Sequence, residues 1–171
     1  MGGNTLRILI AEDEPRAMRG LKNLITSISP DYQVVAEAAD GRQALEMLQQ
    51  QKPEVVFTDL KMPYMDGMAL IRTAHALESP AEFVLVTAYE EFEVAREAIG
   101  LGVFDYLVKP ITIEDAMRVL ERLSTKLGGT QEHMAEMSLR DQYPEAHPLV
   151  RKTLHIIEEG YASKLNQKEL A

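Results

Sequence analysis

Acidic, hydroxyl and ammonium side chains follow or close several short apolar segments of this sequence. With their segments, they are Glu12 and Asp13 after LRILIA (6–11), Asp59 at the end of EVVFTD (54–59), Thr87 at the end of EFVLVT (82–87) and Lys109 at the end of FDYLVK (104–109). A carboxylate at the end of a buried segment is costly unless a partner compensates its charge. Three carboxylates brought together would repel one another, and a cation would relieve that repulsion. An all-oxygen cluster of this kind is typical of a Mg²⁺ site.

These side chains converge only if the apolar segments are neighbouring strands. The four segments above and QVVAEA (33–38) are short and largely apolar, as expected for parallel strands covered on both faces. The segments between them carry apolar residues at helical spacing. We therefore predict an α/β protein with a doubly wound, five-stranded parallel sheet of order 2-1-3-4-5 and right-handed crossovers. In this order strands one and three are neighbours, so the polar residues meet at the carboxyl edge of the sheet.

Helix start signals agree with this arrangement. Pro15 suits the first turn of a helix. Two pairs, Asp40 with Gln43 and Thr112 with Asp115, have the spacing of a capping box, in which each side chain accepts a hydrogen bond from the other residue's backbone.

Charge and composition exclude several classes of function. The chain has 171 residues with 18 Lys and Arg against 27 Asp and Glu, a net charge of -9, so this polypeptide alone is not expected to hold nucleic acid. Cysteine is absent, which excludes disulfides and thiolate metal sites. No segment has the length and apolarity of a membrane span, so we predict a cytoplasmic protein without membrane contact.

Other interpretations of the acidic residues remain open at this point. Each acid alone could cap a helix or face water at a strand end. A flavodoxin-like nucleotide or flavin binder could share the strand order, but its phosphate loop needs glycines and hydroxyls where this chain has AEDEP. A free-standing hydrolase could use Asp59 as a nucleophile, although the sequence shows no insertion that would bind a substrate.

Four separate motifs, AEDEP, TDLKMPYMDG, TAY and DYLVKP, resemble those of response-regulator receiver domains of two-component signalling. The resemblance covers roughly residues 5–127 and assigns 1–127 to a receiver domain. It implies that Asp59 is the phospho-acceptor and that Glu12, Asp13, Asp59 and the backbone carbonyl of Lys61 bind Mg²⁺. The family more often has two aspartates where this chain has Glu12 and Asp13. Glu12 is longer by one methylene, so we expect its metal contact to run through water.

The resemblance also implies roles for residues on the last two strands. Thr87 and Lys109 would hold the phosphoryl oxygens, and the peptide bond before Pro110 would be cis. Thr87 and Tyr106 would act as a switch, with Tyr106 moving inward when Thr87 turns toward the phosphoryl group. The alternative for Tyr106 is a half-buried aromatic residue whose hydroxyl lies in water.

The implied function is regulatory. A sensor histidine kinase would donate the phosphoryl group, and the chain would catalyse only this transfer to its own aspartate and the later hydrolysis. Phosphorylation would bias a two-state element and favour a homodimer. We expect intermolecular salt bridges around Arg96, Asp105 and Arg118.

The C-terminal part differs in character. Residues 128–148 contain paired glycines and two prolines and are predicted to be a linker. Residues 149–171 regain helical periodicity and resemble the opening of an AraC-type helix-turn-helix domain, which would enter the major groove of DNA through a recognition helix that this chain lacks. We therefore predict a helical extension that is the truncated start of a DNA-binding domain. The alternative is a protein-binding or dimerising helical output.

Overall fold

The computed structural model describes residues 5–88 and 92–128. Strands and helices alternate along this part of the chain. In order, they are β1 (Leu6–Ala11), α1 (Pro15–Ile28), β2 (Tyr32–Ala38), α2 (Gly41–Gln51), β3 (Val55–Asp59), α3 (Gly67–Ala76), β4 (Glu82–Thr87), α4 (Phe92–Gly100), β5 (Asp105–Val108) and α5 (Ile113–Gly128).

The five strands form one parallel sheet of order β2-β1-β3-β4-β5, which confirms the predicted fold class. Ala11 pairs with Thr58 on β3, and Asp59 pairs with Val86 on β4. The ends of β1, β3 and β4 therefore lie side by side at one edge of the sheet. The strand limits differ slightly from the sequence prediction: Phe104 and Lys109 were expected inside the fifth strand, but they lie just outside β5. The backbone N–H groups of both residues still donate to carbonyl groups of β4.

Each face of the sheet is covered by helices, which explains the nearly continuous apolar strands. One core combines strand residues such as Leu9, Val56 and Leu85 with side chains of α2, α3 and α4. The other combines residues of opposite parity, such as Ile8 and Phe57, with side chains of α1 and α5. Alternate residues of one strand thus enter different cores, and little of the central strands reaches water.

The predicted helix starts are confirmed, with one difference in detail. Helix α1 begins at Pro15. Asp40 Oδ1 accepts from the N–H groups of Arg42 and Gln43, at 2.8 and 3.0 Å, whereas the Gln43 side chain accepts from Ala39 rather than from Asp40.

At α5 the capping box is reciprocal. The Thr112 N–H donates to Asp115 Oδ2 at 3.2 Å, and the Asp115 N–H donates to Thr112 Oγ1 at 3.1 Å. Although partial burial opposes it, the hydrogen bonds from Thr112 and the Arg118 guanidinium lower the pKa of Asp115 below its ordinary 3.8.

We expect Asp115→Asn to destabilise the fold in a pH-dependent way. Since the folded-state pKa is depressed, the ionised carboxylate stabilises the fold fully above pH 3.8 and loses this effect as the pH falls through the folded-state value. At pH 7 the loss should be about 0.5–1 kcal/mol, as for a helix cap with a favourable N-terminal charge. Urea unfolding at pH 7 and below pH 3 measures it, and an equal difference at both pH values would contradict the assignment.

The predictions for residues 129–171, which include the linker and the helix-turn-helix start, lie outside the described residues. Within the described ranges, no helix is both long enough and apolar enough to span a membrane.

Candidate metal centre

Three carboxylates converge at the carboxyl edge of the sheet. One oxygen each of Glu12, Asp13 and Asp59 lies within 4.8 Å of the others. Glu12 and Asp13 directly follow β1, and Asp59 is the last residue of the neighbouring β3. Glu12 is buried, Asp59 is partly buried and Asp13 is exposed. The structure thus brings together the acids that the sequence placed at two separate strand ends.

Both carboxylate oxygens of Glu12 accept hydrogen bonds from the protein. The Glu14 N–H donates to Oε1 at 3.1 Å, and the Lys109 ammonium donates to Oε2 at 2.6 Å. The Glu12 N–H in turn donates to the Ala38 carbonyl on β2, which ties the residue to the sheet. Only 5% of Glu12 is exposed, so its carboxylate depends on these two donors rather than on water.

Asp59 is held in a similar way. The Leu60 N–H donates to Oδ1 at 2.7 Å, and the Lys109 ammonium lies 3.2 Å from Oδ2. The Lys109 ammonium therefore compensates part of the negative charge of the acidic cluster from within the chain.

The backbone fixes the point from which Lys109 reaches the acids. Its N–H donates to the Thr87 carbonyl at 2.8 Å, and the Lys109–Pro110 peptide bond is cis. The Lys109 side chain is 25% exposed, compared with 4% for that of Glu12. Of the two bonded partners, Lys109 therefore has more room to move.

The pKa values of Glu12 and Lys109 are both raised, for different reasons. Burial raises the pKa of Glu12, and the charge of Asp59 adds to this, while the bonds from Lys109 and Glu14 only partly oppose it. Burial alone would lower the pKa of Lys109, but its hydrogen bond to Glu12 and the charges of Asp59 and Glu12 outweigh that effect. The raised pKa of Lys109 thus reflects the two carboxylates beside it, whereas that of Glu12 reflects mainly its burial.

The chemistry of the donors fits Mg²⁺. Three carboxylates against one ammonium leave two net negative charges, which a divalent cation would neutralise. All ligand atoms are hard oxygens, and the exposed side of Asp13 leaves room for the waters that Mg²⁺ retains. Lys61, whose carbonyl is a predicted ligand, lies two residues after Asp59 in the loop before α3.

Thr87 and Tyr106 lie on the same face of the sheet. Thr87 has the parity of Phe83 and Leu85, which enter the same core as Tyr106. Thr87 is fully buried, and Tyr106 is 1% exposed. Tyr106 thus occupies an inward position in this structure, and the alternative of a half-buried residue with a solvated hydroxyl is wrong here.

Asp105 departs from the sequence hypothesis. It is 4% exposed, and its Oδ2 accepts from Arg122 of α5 at 2.7 Å. Burial raises the pKa of Asp105, although Arg122 and the Tyr106 N–H oppose the shift. Its carboxylate is therefore engaged inside the chain rather than presented to a second subunit. Arg96 and Arg118 pair with Glu93 and Asp115 on their own helices.

Two glycines, Gly41 and Gly67, position the loop after Asp59, and the sequence-based prediction did not assign them this role. A methyl group on Gly67 would lie 2.2 Å from the Asp59 carbonyl oxygen, and one on Gly41 would lie 2.4 Å from the Met65 carbonyl oxygen. The Gly67 N–H donates to Leu60 and the Gly41 N–H donates to Met65, at 2.9 and 3.0 Å. Helices α2 and α3 thus lie so close to the backbone at Met65 and Asp59 that there is no room for a side chain at either glycine. The DG in the MPYMDG segment was the available signal for Gly67.

Comparisons with known proteins agree with this fold. The family described as "Response regulator receiver domain" matches residues 8–121. The uncharacterized transcriptional regulatory protein YesN of Bacillus subtilis (strain 168) is 34% identical over 121 residues, which are 71% of this chain and 33% of that protein. The transcriptional regulatory protein PdtaR of Mycobacterium tuberculosis is 30% identical over 154 residues, which are 89% of this chain and 73% of that protein.

A solved structure gives the same result. The REC domain of AraT, a response regulator from Geobacillus stearothermophilus, is 37% identical with a TM-score of 0.66, over 72% of this chain and 96% of that chain. This chain spans only 33% to 48% of the length of three of the curated relatives that it matches. The chain belongs to the family of response regulator receiver domains.

Proposed function

We propose that this chain accepts a phosphoryl group on Asp59 and uses it as a regulatory signal. The observation that carries the proposal is the convergence of Asp59 with Glu12, Asp13 and the Lys109 ammonium at one edge of the sheet. Phosphoryl transfer depends mainly on alignment and charge neutralisation, and this cluster offers a nucleophile, metal ligands and a cation in one place.

In the proposed reaction, a carboxylate oxygen of Asp59 attacks the phosphorus of a phosphohistidine on a sensor histidine kinase. A new O–P bond forms, the N–P bond of the donor breaks, and the imidazole leaves with its electron pair. Lys109 and the Thr87 hydroxyl hold the phosphoryl oxygens. Mg²⁺, held by Glu12, Asp13, Asp59 and the Lys61 carbonyl, would supply positive charge to the transferring group. Hydrolysis of the same acyl phosphate would end the signal, so no external substrate is turned over.

The proposed output follows from charge. A phosphoryl group adds about -1.5 to -2 charges at Asp59. Thr87 and Tyr106 lie on the same face of the sheet and could respond together to this change. We propose that the response alters dimerisation. Because Asp105 pairs with Arg122 within the chain, a dimer contact through Asp105 would first have to break that bond.

We also propose that residues 1–127 form the receiver domain, 128–148 a linker and 149–171 the start of a helix-turn-helix output domain of AraC type. The names of two relatives, which call them transcriptional regulatory proteins, support an output that regulates transcription. DNA binding would then belong to the output domain and not to the receiver domain.

Incubation with acetyl phosphate tests the proposal. We expect the protein to gain the mass of one phosphoryl group when Mg²⁺ is present and to gain none when a chelator removes the metal, because the acidic cluster then repels the donor. Intact-mass spectrometry provides the measurement. Hydroxylamine, which cleaves acyl phosphates but not phosphate esters, should remove the group. Labelling that persists with chelator or resists hydroxylamine would contradict the proposal.

A further inference from the structure

A groove lies at the amino edge of the sheet, on the side opposite the acidic cluster. Its volume is about 690 Å³, and helix ends and the loops that precede β3 and β4 line it. The apolar residues of the lining are Leu48, Pro53, Leu77, Pro80 and Leu127. Leu77 is 54% exposed, although it is a large apolar residue. A groove with such a side chain in water is typical of a docking surface for a protein segment.

Two charged residues at the rim of this groove have an unusual backbone. Lys52 ends α2 with φ 47°, and Glu78 lies in the loop after α3 with φ 56°. This left-handed region favours glycine, so a long side chain in it costs free energy. Both residues are exposed, and within the described part of the chain neither forms an ion pair. Unpaired charges at strained positions indicate that these side chains serve a contact with another segment.

The described part of the chain ends beside this groove. Leu127, the residue before the last of α5, belongs to the lining. Residues 129–148 lie within the proposed linker, and a flexible segment of this length has an r.m.s. span of about 25 Å. The segment that begins at residue 149 can therefore return to the groove of its own chain.

Residues 149–161 have the sequence pattern that fits this groove. Four apolar residues recur at the spacing of one helical face, Val150, Leu154, Ile157 and Tyr161. The segment also has a basic pair near its start and an acidic pair near its end, Arg151 with Lys152 and Glu158 with Glu159. The groove has Glu54 and Glu78 to face the basic pair and Lys52 to face the acidic pair. The charges of groove and segment are thus complementary.

We propose that residues 149–161 dock as an amphipathic helix in this groove of the same chain, with Leu154 against Leu77. The docked segment fixes the start of the output domain at the amino edge of the sheet, away from Asp59. This inference uses the proposed linker and goes beyond the proposed function, and it does not depend on phosphorylation of Asp59.

Trypsin digestion of the 171-residue chain tests the inference. Trypsin cleaves after Arg151 and Lys152 only when the segment has left the groove, so the cleavage rate follows the undocked fraction. Leu77→Asp places a carboxylate where an apolar contact is expected. It should speed cleavage after these two residues about tenfold, the scale of burying one leucine side chain. Mass spectrometry of the fragments over time, without any phosphoryl donor, provides the rates.

Met117→Asp is the matched control. Met117 is also a large apolar residue with an exposed side chain, at 38%, but it lies on α5 outside the groove lining. This variant should be cleaved like the wild type. Equal cleavage of Leu77→Asp and wild type, or faster cleavage of Met117→Asp alone, would refute the inference. A wild-type rate that falls as the protein concentration rises would identify a second copy as the occupant and would also refute it.

A cysteine pair gives an independent measurement, because the chain has no cysteine of its own. Gln49→Cys places a thiol in the groove, and Gln50→Cys places one on the next exposed residue of α2, outside the lining. Each is combined with Thr153→Cys, which borders the apolar face of the segment. With oxidised glutathione the pair at 49 and 153 should close an intramolecular disulfide about tenfold faster than the pair at 50 and 153, since a disulfide needs nearby Cα atoms.

Leu77→Asp should remove the difference between the two cysteine pairs, and circular dichroism checks that every variant is folded. Equal rates of closure for the two pairs, or a disulfide-linked dimer as the main product, would contradict docking within one chain.

Discussion

We expect Asp59→Asn to lose all labelling by acetyl phosphate above background. An amide oxygen is a poor nucleophile, and asparagine removes one of the three negative charges that attract the metal. Glu12 and Asp13 remain, yet neither lies at the end of β3 between the Leu60 N–H and Lys109. Intact-mass spectrometry after incubation with acetyl phosphate and Mg²⁺ measures the effect.

Asp66→Asn is the matched control. Asp66 lies seven residues later, is exposed, and caps α3 by accepting from the Ala69 N–H at 2.7 Å. Asparagine caps helices about as well as aspartate, so this variant should fold and be labelled like the wild type. Equal labelling of Asp59→Asn and wild type would move the acceptor to another residue and end the proposal.

The loss in Asp59→Asn should not come from unfolding. The asparagine carbonyl can still accept from the Leu60 N–H, and Lys109 keeps its shorter bond to Glu12. The change also removes repulsion among the carboxylates. We therefore expect the free energy of unfolding to change by no more than about 1 kcal/mol, which urea titration without metal can measure.

The second large effect is expected from Gly67→Ala. The added methyl group would lie 2.2 Å from the Asp59 carbonyl oxygen and 3.2 Å from Leu85 Cδ1. Because the nearest atom belongs to the backbone of a buried strand, relief requires α3 and the end of β3 to separate. We expect a loss of about 3 kcal/mol in unfolding free energy, at the upper end for overpacking. Urea unfolding provides the measurement, and labelling of the folded fraction should also fall, since the end of β3, which carries Asp59, has shifted.

Gly20→Ala is the control for this variant. Gly20 lies inside α1, is exposed, and a methyl group there meets nothing within 4 Å. Alanine should therefore stabilise the helix by about 0.5–1 kcal/mol. A Gly67→Ala variant with wild-type stability would show that the close approach of α3 to Asp59 is not required.

The fold could be predicted because each element has its own local signal. The strands are continuously apolar because helices cover both faces of the sheet. The capping contacts of Asp40 and Thr112 join residues only two or three positions apart, so a short stretch of sequence is enough to recognise them. Parallel pairing then brings every strand's carboxyl end to one edge. The meeting of Glu12, Asp13 and Asp59 followed from strand order alone, without knowledge of any side-chain contact.

The contacts within the site could not be predicted in the same way. The bond between Lys109 and Glu12 joins residues far apart in the chain, and nothing local distinguishes it from a bond to Asp59. Asp105 looked like a surface acid because its partner Arg122 lies 17 residues later in the chain, on a different element, α5. The need for glycine at 41 and 67 arises from distances between backbones of separate elements.

Two backbone hydrogen bonds hold the loop between β3 and α3 in place. The Gly67 N–H donates to the Leu60 carbonyl and joins the two ends of the loop, and the Gly41 N–H at the start of α2 donates to the Met65 carbonyl. The tip of the loop consists of Pro63 and Tyr64, and Tyr64 is 78% exposed. Neither side chain takes part in these two hydrogen bonds. We therefore expect a substitution of the Tyr64 side chain to leave these backbone bonds, and with them the placement of Asp59, unchanged.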